Sequence, residues 1–143
     1  MKAPREILFR AKRISDGEWI EGYYLYYKPC ILSPLIPSEY RHCMTTLDGI
    51  TTDIDPTTLS QFTGMYDKNG KRIFENDVLK NDKGLIRYVK WEMSCGSCCT
   101  QVIGFGASGI GHTDFINFDY LDEIEVIGNI FDNADLIKEN FNE

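Results

Sequence analysis

No apolar run in the sequence approaches the roughly 18 residues that a membrane-spanning helix requires, so no membrane contact is expected. The first six residues are not followed by the apolar segment that a signal peptide contains, and secretion is therefore not expected. Five cysteines in a chain without a secretion signal indicate reduced thiols in the cytoplasm, and not a disulfide framework.

Histidine is scarce, with two in the chain, so catalysis has few candidate general bases. The sequence suggests no Ser/His/Asp or Cys/His set, and the paired acids Asp122 and Glu123 lie in a uniformly acidic stretch. A calcium loop starting at Asp67 is disfavoured, because its glycine and glutamate fall at positions four and nine, where an EF-hand has them at six and twelve. We therefore predict no catalytic residue and no cofactor, and the sequence does not point to an enzyme.

Positive charge is in short supply, and the formal net charge is −7. Residues 114–143 hold nine acids and one base, a local charge of −8, so the other 113 residues carry +1. Bases concentrate in residues 1–13, with five bases to one acid, and in residues 67–90, with seven to four. Lysines on solvated faces and strand edges explain such patterns through solubility. The alternative is a basic face that meets nucleic acid or the acidic tail of another subunit.

The residues that are plentiful favour a β-rich globular protein. Hydrophobic residues make up 43% of the chain and aromatic residues 13%, which is too much for a disordered protein. Asp16-Gly17 and Asp48-Gly49 are hairpin turn signals, and Gly22 is expected to interrupt the strand that follows the first of them. Strands are predicted at residues 7–14, 19–20, 23–27, 44–47, 50–54, 78–80, 85–91, 100–105, 115–118 and 125–131.

Three prolines, Pro29, Pro34 and Pro37, exclude a central strand or a helix interior from residues 28–40, where we predict an irregular insertion. The predicted organisation is an N-terminal β region at residues 1–58 and a barrel-like region at residues 59–143, unless the two form one compact unit. The helix expected at the C-terminal end is short. It starts at Asp132 or Asn133, either of which can cap its first turn.

The aromatic run Tyr-Tyr-Leu-Tyr-Tyr at residues 23–27 has two interpretations. Tyrosine runs can form platforms on which nucleobases stack. They are more common as half-buried strands with a polar rim. Because no arginine or lysine is interleaved with these tyrosines in the sequence, we favour the strand.

Cys95, Cys98 and Cys99, with His112 downstream, form a cluster of candidate metal ligands. Thiolates in a C-x2-C knuckle plus an imidazole could make a tetrahedral zinc site. A zinc ribbon needs a second pair of ligands at regular spacing, which other cysteines and the second histidine could supply only if the fold brings them close. Ordinary thiols are the preferred interpretation, so no metal is predicted.

Residues 104–109 spell a literal G-x-G-x-x-G. A dinucleotide site needs this pattern between a strand and a helix of a parallel sheet, with an acid about 20 residues further on. Residues 110–113 do not start a helix, so a flexible loop between strands is predicted instead.

The rest of the chain is organised around residues 61–80, Q-F-T-G-M-Y-D-K-N-G-K-R-I-F-E-N-D-V-L-K. Asn69-Gly70 is a strong hairpin signal, because both residues accept the positive φ of a tight turn. Asp67 can hydrogen-bond the backbone of that turn through its side chain. Residues 75–77 then redirect the chain into Val78-Leu79, a pair suited to a half-buried strand.

This stretch resembles the hallmark of the YopX-like family of phage and prophage proteins, Q-Y-T-G-x-x-D-K-N-G-K-x-I-Y-E-G-D-I-V. The departure with physical content is Asn76, where the family usually has glycine; asparagine is the next most tolerant of a left-handed backbone. The resemblance extends to R-E-I-L-F-R-A near the start and to E-V-I-G-N-I-F-D-N at residues 125–133. The matching hallmark residues are Gln61, Thr63, Gly64, Asp67, Lys68, Asn69, Gly70, Lys71, Ile73, Glu75 and Asp77.

The resemblance implies a phage or prophage context and a β-rich fold with a small SH3-like barrel, and it implies no biochemical activity. We therefore expect a mainly β protein with an N-terminal antiparallel sheet, an SH3-like barrel at residues 59–131 and one short C-terminal helix. By fold-level analogy, such barrels serve as binding or assembly modules. The expected function is a cytoplasmic accessory protein that binds protein partners or itself as a homo-oligomer. Nucleic-acid binding through residues 1–13 and 67–90 is the alternative.

Overall fold

The structure of the chain is a computed structural model, and it describes residues 6–28, 39–95, 101–109, 112–115 and 122–141. The chain divides into two compact units, Met1–Gln61 (unit 1) and Phe62–Glu143 (unit 2). Compactness does not show that either unit folds independently, so the domain assignment with its boundary at residue 58 stays a prediction.

Unit 1 is built from short antiparallel strands around a small apolar core. Its elements are β1 (Phe9–Lys12), β2 (Trp19–Tyr27), β3 (Arg41–Thr46), β4 (Thr51–Asp53), a 3-10 turn (Pro56–Thr58) and the first residues of β5 (Ser60–Tyr66). The strand order is β4-β3-β2-β1-β5, and every neighbouring pair is antiparallel. The core consists of Ala11, Ile20, Met44 and Ile54, with Phe9, Tyr24 and Leu59 packed against it.

Gly22 does not interrupt the second strand, so that prediction was wrong. β2 runs continuously through Gly22, which pairs with Phe9 on one side and with Thr46 on the other. A Cβ atom at Gly22 would lie 2.1 Å from the carbonyl oxygen of Thr45. Glycine is therefore needed here because another backbone approaches closely, and not because the chain turns.

The end of β4 returns to β1. Arg13 and Ile54 form an isolated antiparallel bridge, and the N–H of Asp55 donates to the carbonyl of Lys12 over 2.8 Å. The N–H of Ile54 donates to the carbonyl of His42 in β3 over 3.1 Å. Residues 53–55 thus make backbone hydrogen bonds to β3 on one side and to β1 on the other.

Unit 2 contains the second antiparallel sheet and the helix. Its elements after β5 are β6 (Arg72–Phe74), β7 (Asp77–Lys80), β8 (Ile86–Cys95), β9 (Gln101–Gly109), β10 (His112–Phe115), β11 (Glu125–Asn129) and α1 (Ala134–Phe141). The sheet has the order β10-β9-β8-β7-β11, while β5 pairs with β6. Its core consists of Met65, Ile73, Leu79, Val89 and Val126, with Ile124 packed against it.

In the described residues the predictions of a mainly β protein, an N-terminal antiparallel sheet and a short C-terminal helix are confirmed, and the strands form two antiparallel sheets. In the described part of unit 2 the strand ladders close no ring, so the SH3-like barrel at residues 59–131 is not confirmed. The predicted strand at residues 115–118 coincides with β10 at Phe115 alone, and residues 116–118 lie outside the described part of the chain. The proline-containing residues 29–38 lie outside it as well.

The glycine-rich residues 104–109 form part of β9, so the prediction of a flexible loop there was wrong. Gly104 pairs with Glu92 and Gly106 with Lys90 in the long antiparallel ladder between β8 and β9. Glycine adopts an extended backbone as readily as a turn, and the pairing partner decides which conformation is used. A dinucleotide site needs a parallel sheet, whereas β9 pairs with β8 in the antiparallel direction.

The helix α1 begins at Ala134, one or two residues after the predicted start at Asp132 or Asn133. The Oδ1 atom of Asn133 accepts a hydrogen bond from the N–H of Asn129 over 3.2 Å. Asn133 thereby ties the start of the helix to the end of β11. A Cβ atom added at Gly128 would lie only 2.3 Å from the Oδ1 atom of Asn133, so a side chain at position 128 would displace Asn133.

Candidate functional site

Asp67 is the hydrogen-bonding centre of the hallmark stretch. Its Oδ1 atom accepts the N–H groups of Asn69 and Lys71 over 2.9 and 2.8 Å, which closes the turn between β5 and β6. Its Oδ2 atom accepts the N–H of Val126 in β11 over 3.0 Å. One buried carboxylate therefore holds both a local turn and a strand 59 residues away.

Burial of Asp67 opposes its ionised form, but three backbone N–H donors favour that form. The amides of Val126, Lys71 and Asn69, with the positive charge of Lys71, outweigh burial and hold the pKa of Asp67 below its ordinary value. The carboxylate is therefore charged near neutral pH and accepts all three hydrogen bonds.

The turn at Asn69-Gly70 is placed as expected but has a different geometry. Gly70 has a φ of +78°, whereas Asn69 does not have a positive φ. The N–H of Gly70 donates to the carbonyl of Asp67, and the N–H of Asp67 donates to the carbonyl of Lys71. This is the three-residue hairpin loop, a type I turn followed by a left-handed glycine, so only one of the two residues needs positive φ.

The same five-residue turn occurs at two other hairpins. Thr46 and Asn81 occupy the position of Asp67, and their side chains accept the N–H groups of Ile50 and Leu85, respectively. In each case the glycine of the loop donates back to the carbonyl of the first residue. Asp67 differs from both because it has a second acceptor oxygen, which it uses for β11.

Thr63 and Gly64 form a bulge in β5. Gly64 has a φ of +87°, and the register between β5 and β6 shifts between Phe62 and Tyr66. The Thr63 hydroxyl spans the irregular position: it donates to the carbonyl of Ile73 over 2.7 Å and accepts the N–H of Met65 over 3.2 Å. These two hallmark residues thus act together: Gly64 allows the bulge, and the Thr63 hydroxyl supplies hydrogen bonds where the ladder between β5 and β6 is interrupted.

Asn76 and Asp77 make the second change of direction. Asn76 has a φ of +69°, the left-handed backbone expected at this position. Its N–H donates to the carbonyl of Val89, and its carbonyl accepts the N–H of Ile130. The buried Oδ2 atom of Asp77 accepts the N–H of Phe74 over 2.8 Å. Of the remaining hallmark residues, Ile73 is buried in the core, Gln61 pairs with Phe9 in the β5–β1 ladder, and Glu75 is half-buried.

The hallmark also covers the outer edge of β11. β7 pairs with one edge of β11. The tip of the β5–β6 hairpin lies at the other edge, where the N–H of Val126 donates to Asp67 and the N–H of Lys68 donates to the carbonyl of Ile124 over 2.9 Å. Uncovered strand edges invite pairing with other chains. The side chains of Thr63, Asp67 and Asp77 thus make hydrogen bonds to backbone groups of this stretch and of β11.

The candidate metal ligands are not brought together by anything the structure describes. Cys95 ends β8 and His112 begins β10, but their side chains, and the whole of Cys98 and Cys99, lie outside the described part of the chain. Within the described residues, no group of three or more His, Cys, Asp or Glu side chains could hold a metal ion. Zinc at residues 95–112 remains untested.

The surface with exposed aromatic side chains lies on unit 1. Alternation along β2 places Trp19, Tyr23, Leu25 and Tyr27 on the side away from the core, and we call these four residues the outer face. Tyr23 is 53% exposed, Leu25 42% and Tyr27 41%. Three large side chains in a row are thus accessible on one strand.

Cations flank both ends of the outer face. The Arg10 guanidinium lies 4.9 Å from the centre of the Trp19 ring, and the Lys12 ammonium lies 5.4 Å from it. Arg41, paired with Tyr27, contacts Asp53 through Nη2 and Oδ2 over 2.6 Å. Sequence reasoning missed these cations because it looked for them within β2, whereas the antiparallel register brings them from β1 and β3.

Cys43 lies buried beside this face. Its thiol donates to Oδ1 of Asp53 over 3.1 Å. Burial, together with the neighbouring Asp53, raises the pKa of Cys43, so the thiol stays protonated. The hydrogen bond from Cys43 lowers the pKa of Asp53, and burial raises it. The hydrogen bond and the charge of Arg41 also lower it, so the pKa of Asp53 lies below its ordinary value. This cysteine is a structural donor and has none of the character of a nucleophile.

The opposite side of the sheet carries a second aromatic group, Tyr24, His42, Tyr26 and Tyr40, which we call the tyrosine–histidine stack. Ring centres are 6.0 Å apart for Tyr24 and His42, 4.6 Å for His42 and Tyr26, and 5.0 Å for Tyr26 and Tyr40. The interplanar angles are 16°, 26° and 26°, so the four rings are close to parallel.

Several bases of the two predicted basic regions are engaged with acids. Lys68 Nζ lies 3.5 Å from Oδ1 of Asp82 and 4.0 Å from Oε2 of Glu125. Arg13 contacts Asp16 over 3.0 Å. These ion pairs leave less positive potential for a phosphate backbone, while residues 1–5 lie outside the described part of the chain.

Comparison with known proteins adds the family. No curated protein matches the chain. In the part of the chain that the structure describes, no helix has the length and apolar character needed to span a membrane. A family model described as YopX protein matches residues 8–138, which is most of the chain. The chain therefore belongs to the YopX protein family.

Proposed function

We propose that this protein is a protein-binding module and that the outer face of unit 1 is its contact surface. The observation that carries the proposal is the exposure of Tyr23, Leu25 and Tyr27 on one side of β2, next to Trp19. Tyrosine, tryptophan and arginine are the residues on which binding energy in protein interfaces concentrates. An exposed row of such side chains on a small sheet marks an interaction site better than a catalytic one.

The partner that this surface fits first is a second copy of the chain. Arg10, Lys12 and Arg41 flank the outer face, and residues 122–135 of unit 2 are acidic. Complementary charge around an apolar centre favours association and fixes its orientation. The exposed acids of that segment are Asp122, Glu123, Asp132 and Asp135.

Light scattering coupled to size exclusion tests self-association. We expect an average mass that rises from low to high micromolar concentration, and a Tyr23→Ala, Tyr27→Ala double variant that stays monomeric. Tyr26→Ala is the matched control, because Tyr26 is equally exposed but lies on the opposite side of the sheet. A wild-type chain that is monomeric at every concentration, or a control variant that dissociates as fully as the double variant, would contradict the proposal.

The wider setting is an inference from the resemblance to YopX-like proteins. We infer an accessory role in the cytoplasm of a cell that carries a phage or prophage, which is the context that the resemblance implies. We further infer that the strands of unit 1 form a small SH3-like barrel. A small barrel of this type pairs its first strand with its second and fifth, and β1 pairs with β2 and β5. The 3-10 turn before β5 and the Arg13–Ile54 bridge support this placement.

Binding of single-stranded nucleic acid is the second candidate function. The observation that favours it is the stacking of Arg10 and Lys12 on Trp19, since aromatic rings with adjacent cations bind bases and phosphates. The net charge of −7 opposes it.

A further inference from the structure

The tyrosine–histidine stack continues the core of unit 1 outward along one side of the sheet. Tyr24 packs against the core and contacts Phe9, with ring centres 6.0 Å apart. Tyr26 and His42 pair directly across β2 and β3, and Tyr40 lies next to the start of β3. Tyr26 is 56% exposed and Tyr40 is 59% exposed. The stack therefore runs from half-buried rings at one end to accessible rings at the other.

The stack is held in place before any ligand arrives. The Tyr24 hydroxyl and Nδ1 of His42 are 2.6 Å apart and share a hydrogen bond, which fixes the imidazole ring. His42 lies between Tyr24 and Tyr26, so its orientation also sets that of Tyr26. Rings that are ordered in advance lose little conformational entropy when they bind a further planar group.

The electrostatics of the stack favour a cation over an anion. Tyrosine ring faces are negative, and they attract ammonium and guanidinium groups. Glu39 is exposed and adjacent to Tyr40 in the chain, and Arg41, the neighbour of Tyr40 on the other side, is paired with Asp53. A guanidinium is planar and stacks on aromatic rings, whereas an ammonium is a strongly hydrated point charge.

We propose that the open end of the tyrosine–histidine stack, at Tyr26 and Tyr40, binds an arginine side chain of a partner protein. The site lies on the opposite side of the sheet from the outer face, so it does not depend on the function proposed for that face. Its ligand is the guanidinium of an exposed, arginine-containing segment, stacked on Tyr40 and attracted by the carboxylate of Glu39.

Fluorescence anisotropy tests this site with labelled dodecapeptides in which arginine or lysine alternates with glycine. We expect the full-length protein to bind the arginine peptide more tightly than the lysine peptide. Tyr40→Ala should weaken binding of the arginine peptide about fivefold, and Tyr40→Phe, which keeps the ring, should preserve it. Leu47→Ala, at an equally exposed position in the turn after β3, is the matched control and should leave the affinity unchanged, and thermal melting verifies that each variant is folded.

Three results would overturn the proposal. Equal affinity for the arginine and lysine peptides would show that only charge is recognised. An unchanged affinity in a folded Tyr40→Ala variant would place the peptide elsewhere. Tighter binding of a single-stranded oligothymidylate than of the arginine peptide, lost in Tyr40→Ala, would assign the stack to nucleobases instead. None of these results bears on self-association through Tyr23 and Tyr27, which is measured separately.

Discussion

Asp67 shows how one side chain can connect distant parts of a sheet. An asparagine could close the turn equally well, as Asn81 does in its own hairpin. Only a carboxylate offers a second acceptor oxygen for the N–H of Val126 without presenting an N–H₂ group to it. The hallmark position is therefore explained by β11 and not by the turn.

Replacement of Asp67 by asparagine should lower the free energy of unfolding by about 2 kcal/mol, because a buried N–H loses its acceptor. Chemical denaturation at neutral pH measures the change. Asp82→Asn is the control: this exposed side chain has a single long contact with Lys68, and its loss should cost about 0.5 kcal/mol or less. Equal losses in the two variants would show that the bond to Val126 contributes nothing.

The depressed pKa of Asp67 also predicts a pH dependence. Its contribution to stability is fully present above the unfolded-state pKa of about 3.9 and is lost as the pH falls through the lower folded-state pKa. Wild-type stability should therefore decline below about pH 4, and the Asp67→Asn variant should show a shallower decline. Parallel declines in both proteins would contradict this.

At the scale of the element, the turns were easier to predict than the strands. Asp/Asn-Gly pairs identify the hairpins at residues 16–17, 48–49 and 69–70, because glycine alone accepts the left-handed position at low cost. The loop length was not predictable, since it depends on which residues pair across the turn. The same limit explains β9: nothing local to residues 104–109 distinguishes a glycine-rich loop from a strand held by its neighbour. The cations beside Trp19 were invisible for the same reason.

The return of residues 53–55 to β1 can be tested by amide hydrogen exchange. The N–H of Asp55 donates to Lys12 and the N–H of Ile14 donates to Asp53, so both should exchange at least ~100-fold more slowly than in a free chain. The amide of Gly49, in an exposed local turn, provides the comparison and should exchange faster. Free-chain rates at Asp55 and Ile14, with protection retained in the β2–β3 ladder, would show that unit 1 is an open sheet.

At the scale of the whole molecule, charge separates the two units. Residues 1–61 hold seven bases and eight acids, and residues 62–143 hold eight bases and fourteen acids. The first unit is thus nearly neutral at −1 and the second carries −6. This distribution, readable from the sequence, suits contact between unlike units of two copies and opposes wrapping by a polyanion.

The charge distribution predicts that a single-stranded oligonucleotide will not shift the protein in a gel, even at low salt. Three basic residues near the outer face are too few to overcome the net charge of −7. If Arg10 and Lys12 did bind the oligonucleotide through two phosphate contacts, the binding affinity would fall about sevenfold between roughly 50 and 200 mM salt. A shift with that dependence, lost in an Arg10→Ala, Lys12→Ala variant, would make nucleic-acid binding the better description of the outer face.

The recurrence of one five-residue loop at three hairpins has a consequence for how this chain tolerates change. The side chains of Thr46 and Asn81 accept hydrogen bonds within their own turns, so each loop could be transplanted into the other's place at the loss of little more than the long, exposed Lys68–Asp82 contact. The loop at Asp67 also binds a remote strand through the hydrogen bond from Val126. Either of the other loops grafted there would form the turn but would leave the N–H of Val126 in β11 without this acceptor. Sequence drift among YopX proteins should thus be freer at the first two loops than at the third.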